Sequence, residues 1–207
     1  MFFSISSLWN AVSSFARNLG VSGSIIAKAK QDFNKLLNKY HRTRGGVKEK
    51  HKSQWDASLS IQRFFPWWAN LLCFFELELS GFRHAALREL RSYLEASERS
   101  YYIDSRYPEK SYEDKVKILR LFKSEKNGKK IKFKELLRGI PTIERNDIGK
   151  FYSDLCEYVH LSEQTQTDAL SDFSLNLALN HPYYEDDVEM LEKTFDYTCY
   201  LLIESLK

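Results

Sequence analysis

Residues 67–102 read WWANLLCFFELELSGFRHAALRELRSYLEASERSYY. The first fourteen, WWANLLCFFELELS, are apolar on nearly every side, so they predict a helix buried at the centre of a bundle. Gly81 separates that helix from a second. Phe82, Ala86, Leu90, Tyr93, Leu94 and Tyr101 fall on one stripe at 100° per residue. His84, Arg88, Arg91 and Glu95 fall together on another face. Arg83 lies within the apolar stripe and must either snorkel or find a buried acid.

The same period recurs on both sides. Residues 1–20 predict an amphipathic helix with Phe3, Leu8, Val12, Phe15 and Leu19 along one side. A second helix is expected from about Ser24 to Tyr40, with Ile25, Ile26, Ala29, Phe33, Leu36, Leu37 and Tyr40 in helical spacing. His41 to Ser53, HRTRGGVKEKHKS, shows no apolar period and holds a Gly-Gly pair. It is expected as an exposed, mobile basic loop. Downstream, Pro108 interrupts, and SYED at Ser111 matches a capping box. KFKELLRGIP predicts a short helix stopped by Gly139 and Pro141. Helices follow at about Asp147–Leu161, Glu163–Leu179 and Tyr184–Leu206. The last opens on Glu185, Asp186 and Asp187, acids that favour a helix N-terminus.

The 207 residues carry 43% hydrophobic and 14% aromatic side chains, enough for a packed core and incompatible with a disordered chain. With 8 Gly and 4 Pro there are too few turn formers for an all-β chain. The expected architecture is all-α: a bundle of five or six helices at residues 54–207, with a helical appendage and basic linker at 1–53. No apolar run reaches the ~18–20 residues of a membrane span. The N-terminus lacks the early positive charge and compact apolar run of a signal peptide. Cys73, Cys156 and Cys199 lie far apart without a CxxC, so free thiols in a reducing cytoplasm are expected rather than disulfides or zinc.

Charge is unevenly spread. Residues 28–52 hold nine Lys/Arg against two acids, 110–150 hold thirteen against six, and 151–207 hold two against twelve. Basic stretches attract polyanions. Arg42, Arg44, Lys48, Lys50 and Lys52 are the candidate nucleic-acid contacts. The alternative is that basic and acidic segments neutralise each other within the fold. Trp67 and Trp68 are read as core before base-stacking platforms. Asp186–Asp187 is read as a helix start before a metal site.

His160 lies at the edge of an apolar stripe, one turn after Cys156, where it can exchange protons or pair with that thiol. The alternative is a histidine hydrogen-bonded within the bundle. On the other face, Arg88 and Arg91 with Glu95 can grip a phosphate, or form a solvated i,i+4 pair.

Residues 76–104, ELELSGFRHAALRELRSYLEASERSYYID, resemble the helix pair of HEPN-like prokaryotic proteins. FYSDLCEYVHLS at 151–162 is similar to their later "YxxLSxYVH" helix. The resemblance covers about residues 66–165. It implies a helical bundle, often dimeric, and a metal-independent endoribonuclease in a defence or toxin setting, with no cofactor. That superfamily places an arginine four to six residues before the histidine. The window before His160 holds Ser153, Asp154 and Leu155, so the cation is expected from Arg88 or Arg91. The leading expectation is a cytoplasmic HEPN-like protein acting on RNA through His160, Arg88 and Arg91, without a metal. The alternative is a non-enzymatic helical module that binds nucleic acid or an acidic protein partner. A third reading is a peripheral membrane protein using the N-terminal helix and residues 28–52.

Overall fold

The computed structural model describes residues 5–124, 133–159 and 185–207. Among them the chain is helical, with no strand. The helices are α1 (Ile5–Asn18), α2 (Gly23–Lys50), α3 (Leu59–Phe64), α4 (Trp67–Leu79), α5 (Arg83–Arg106), α6 (Tyr112–Ser124), α7 (Phe133–Leu136), α8 (Thr142–Val159) and α9 (Glu185–Ser205). The helix expected over 163–179 lies outside the described residues.

Glycine ends two of the helices in the same way. Gly20 and Gly81 both adopt φ +85°, which costs a residue without Cβ little. Val21 N–H then reaches back to the Ala16 carbonyl at 3.1 Å, and Phe82 N–H to Leu77 at 2.8 Å. Both closures satisfy carbonyls that the helix end leaves unpaired. Ser22 and Ser58 cap α2 and α3 by accepting from Ile25 and Ile61 N–H. Ser111 accepts from Asp114 N–H at 3.3 Å and so opens α6, as its capping box predicts. At the Pro66 break the carbonyls of Phe65 and Arg63 accept the hydroxyls of Tyr40 and Tyr93.

The centre is α5, not α4. It packs against α3, α4, α6, α7, α8 and α9, whereas α4 packs against α1, α2 and α5. The reason lies in α5's two usable faces. Leu87, Leu94 and Ala86 are fully buried on it, and so are Glu98 and Ser100, so burial extends beyond the apolar stripe. An aromatic spine of Tyr40, Phe64, Trp67, Tyr93 and Phe195 joins α2, α3, α4, α5 and α9. Trp67 is a core residue at 1% exposure, and Trp68 packs partly buried against the same core.

Two sequence expectations for residues 1–53 need correction. The stretch 41–50 is not a loop: α2 continues through Gly45 and Gly46 to Lys50. Val47, eight per cent exposed, returns to the face of Leu36 and Tyr40, and Arg44 lies over the Phe65 ring at 4.9 Å. One buried valine and one stacked arginine hold nearly three extra turns, too sparse a signal to show as periodicity. The buried face of α1 is Trp9, Val12, Ser13 and Ala16, while Phe15 and Leu19 are 47% and 44% exposed. The face is rotated by roughly 80° from the expected stripe. Trp9 decides it by stacking on Phe33 at 4.7 Å and meeting Phe75 edge-on at 5.9 Å. Both helices therefore share the main hydrophobic core with α4, α5 and α9.

A smaller cluster of Leu59, Ile103 and Leu119 joins α3, α5 and α6. Above it Asp104, 3% exposed, accepts from Ser58 Oγ, Leu59 N–H and Ser60 N–H at the start of α3. Lys115, equally buried, pairs with it at 3.0 Å and also donates to the Ala57 carbonyl.

Candidate functional site

Helices α5 and α8 meet along a polar seam. Arg91, Glu95 and Arg99 are spaced four apart, so they form one row on α5. Glu95 Oε1 accepts from Arg91 Nε at 3.1 Å and from the Tyr152 hydroxyl of α8 at 2.6 Å. Its Oε2 accepts from Arg99 Nη2 at 3.3 Å. The Arg91 guanidinium lies 5.6 Å over the Tyr152 ring. Three donors and a ring thus hold one carboxylate and one guanidinium in place. Arg91, Glu95 and Arg99 keep 23%, 25% and 34% of their side chains exposed.

Electrostatics sort the roles. Burial and the hydrogen bond to Glu95 push the Tyr152 phenol well up, so it stays a neutral donor. Below the row lies Glu98, 0% exposed, with neither carboxyl oxygen hydrogen-bonded. Burial first, then the Glu95 carboxylate, raises it well above the usual carboxylate range. Burial thus disfavours charge on Glu98, and the row itself sets the two cations Arg91 and Arg99 against the one carboxylate of Glu95. The seam offers fixed positive charge and hydrogen-bond donors to an anion.

Of the three expected catalytic residues, Arg91 stands in this seam. Arg88 is exposed on α5, one turn before it. His160 follows α8 directly in the chain and lies outside the described residues. The i,i+4 pair of Arg91 and Glu95 forms, but under the cover of Tyr152 rather than in open solvent. In the sequence Tyr152 is legible only as part of an apolar stripe. Arg99 continues the four-residue step beyond Glu95, where the row of His84, Arg88, Arg91 and Glu95 stops one turn short.

The second polar node involves Arg83, which finds its buried acid. Its Nε and Nη2 donate to Asp187 at 2.5 and 2.8 Å, tying the first turns of α5 and α9 together. Asp187 is 0% exposed and Glu78, at the end of α4, is 1% exposed. Burial first, then Asp187, pushes the Glu78 carboxyl up to about 9. Taken as bare carboxylates the two have nothing to share, and both Glu78 oxygens are unpartnered. One proton on Glu78, donated to Asp187, resolves both defects. This node is structural.

The expected nucleic-acid contacts Arg42, Arg44, Lys48, Lys50 and Lys52 are all exposed on or just past the last turns of α2. Further back, Lys35 pairs with Glu192 and Lys39 with Asp196 across to α9. The three cysteines are free. Among the described residues no three His, Cys, Asp or Glu side chains converge as a metal site. No helix among them is long and apolar enough to cross a membrane.

No protein-family model matches the chain, and no curated protein and no solved structure matches it either.

Proposed function

We propose that the protein is a HEPN-like cytoplasmic protein that acts on RNA as a metal-independent endoribonuclease in a defence or toxin setting. The observation that supports this reading is the α5–α8 seam, where Glu95 and Tyr152 hold Arg91 and leave it partly exposed. Cleaving RNA without a metal requires a fixed cation for the developing phosphorane charge. It also requires a group that moves protons near neutral pH. In this reading Arg91 supplies the first, with Arg88 steering phosphate from the surface. His160, the residue after α8, supplies the second at the ribose 2′-hydroxyl or the leaving oxygen. A homodimer is part of the same reading.

The test is cleavage of single-stranded RNA by the full chain in EDTA. His160→Ala is expected to abolish cleavage and Arg91→Lys to reduce it by roughly a hundredfold, the scale of one lost transition-state donor. Both variants should keep the wild-type circular dichroism spectrum. Cleavage that survives His160→Ala overturns the catalytic reading.

The exposed cations Arg42, Lys48, Lys50 and Lys52 around the end of α2 favour a second reading, a helical module that binds nucleic acid or an acidic protein without cutting. Salt-sensitive RNA binding with no cleavage selects it.

A further inference from the structure

The solvent-facing arc of α5 is basic along most of its length. Arg88, Arg91, Glu95, Arg99, Tyr102 and Arg106 follow one another by three, four, four, three and four residues, spacings that keep them on one face. All six are exposed or half-buried, whereas Ala86, Leu90, Tyr93 and Ser97 on the opposite arc are buried. At 1.5 Å per residue the row from Arg88 to Arg106 is roughly 27 Å long. It sets four guanidinium groups against one carboxylate. Both oxygens of that carboxylate, on Glu95, are already taken by Arg91, Tyr152 and Arg99. Arg88 and Arg106, at the two ends, are exposed and form no ion pair among the described residues.

A second, independent feature is the flat surface that the row offers. Arg106 lies over the Tyr102 ring at 5.1 Å, and Arg91 over the Tyr152 ring of α8 at 5.6 Å. Each pair sets a planar cation beside an aromatic face, the combination on which unpaired bases stack. Carboxylates of an acidic peptide complement the charge but make no use of the rings. The row lies within an arc of roughly 80° on one helix, so it follows a single backbone, whereas a duplex presents two.

We infer that α5 carries an extended site for a single strand of RNA, with Arg99 and Arg106 holding phosphates well beyond the Arg91 end. A strand laid along the row covers about eight nucleotides at the stacked spacing of about 3.4 Å, and fewer where it is stretched. That length falls within the ~4–16 nucleotides that single-strand grooves occupy. The guanidinium groups take phosphates, and the ring-backed pairs take bases. The inference rests on the reading that the chain acts on RNA and extends it. Arg91 stands within the row, so a strand held at Arg99 and Arg106 passes the α5–α8 seam. Affinity then depends on strand length, which a site confined to Arg91 does not require.

The test measures binding of labelled oligouridylates to the full chain by fluorescence anisotropy, with 2′-O-methyl strands so that no 2′-hydroxyl is left to attack. Affinity should rise with length up to about eight nucleotides and then level off. Arg106→Gln, an exposed change in the last turn of α5, should weaken a twelve-nucleotide strand roughly fivefold, the scale of one exposed ion pair. It should also lower the slope of log affinity against log salt by about 0.7. Arg99→Gln should act in the same direction. Arg17→Gln, an equal change of charge on the exposed side of α1, should leave affinity and slope in place. No rise in affinity beyond four nucleotides, unchanged affinity in Arg106→Gln and Arg99→Gln, or an equal loss in Arg17→Gln each overturns the inference. So does equal binding of the strand annealed to its complement, or of oligoglutamate of the same charge. Strand binding that meets these expectations while the unmethylated strand stays uncut supports the site and fails the nuclease reading alone.

Discussion

Two buried acids show how differently one side-chain type is used in this fold. Asp104 meets three donors at the start of α3 and the ammonium of Lys115, so its charge is compensated where it stands. Removing it alone strands Lys115 at 3% exposure. Asp104→Ala should cost about 3–5 kcal/mol in urea unfolding, while an Asp104→Leu, Lys115→Met double variant should cost much less, because neither charge is left behind. Glu78 is the opposite case, kept neutral by burial and by Asp187. Its carboxyl is raised in the folded state, so the folded chain holds a proton that the unfolded chain releases above its ordinary value of 4.5. That contribution is fully present below pH 4.5 and is lost as pH climbs toward about 9. The slope is at most about 1.4 kcal/mol per pH unit for one proton. Glu78→Gln, which donates an N–H to Asp187 at every pH, should flatten the fall in melting temperature between pH 6 and 9. Glu98 titrates in the same sense, so the slope should shrink rather than vanish. A variant that parallels wild type across that range shows that Glu78 is ionised in the fold.

At the scale of elements, α2 carries the clearest lesson. The helix to Tyr40 was legible because Ile26, Ala29, Phe33, Leu36 and Tyr40 repeat at helical spacing, and all are buried. The turns beyond were not, because glycine propensity argues against helix and only Val47 marks the core side. Tertiary packing overrides propensity there: Arg44 on Phe65 and Val47 in the core are invisible in a single sequence. The rotation of α1 has the same kind of cause, since its face is chosen by Phe33 and Phe75 on other helices. Breaks fared better, because Gly81, Pro108, Ser111 and Pro141 act through their own backbone chemistry. In the candidate site, the Arg91–Glu95 step was readable from spacing, but its closure by Tyr152 depends on how α8 lies against α5. Gly45 and Gly46 give a direct test of the extended α2. A Cβ at either position meets nothing within 4 Å. Gly45→Ala and Gly46→Ala should each stabilise the protein by about 0.5–1 kcal/mol in chemical denaturation. A loop with φ above zero at these positions would instead lose stability.

Across the whole molecule, the lopsided charge is partly consumed inside the fold. Lys35 and Lys39 of basic α2 face Glu192 and Asp196 of acidic α9, so the two segments neutralise each other along the length where they touch. These pairs are exposed and each contributes little stability. Their larger effect is to cancel field at one end of α2 and leave it at the other. Beyond Lys39 no basic side chain of α2 pairs with an acid of α9 among the described residues, and Arg42, Lys48, Lys50 and Lys52 stand exposed around its end. A polyanion that docks on this helix should therefore feel the far turns and not the near ones. Charge reversal of Lys48, Lys50 and Lys52 to Glu should lower single-stranded RNA affinity. It should also reduce the slope of log affinity against log salt by about 2, since each phosphate that is no longer neutralised removes roughly 0.7. Lys35→Gln with Lys39→Gln should leave that slope unchanged, because those ammonium groups already have carboxylate partners. Fluorescence anisotropy with a labelled single strand at several salt concentrations measures both. Equal slopes for wild type and the triple reversal would place the polyanion site elsewhere, and the turns past Tyr40 would then be solvated surface held in helix by Val47 and Arg44.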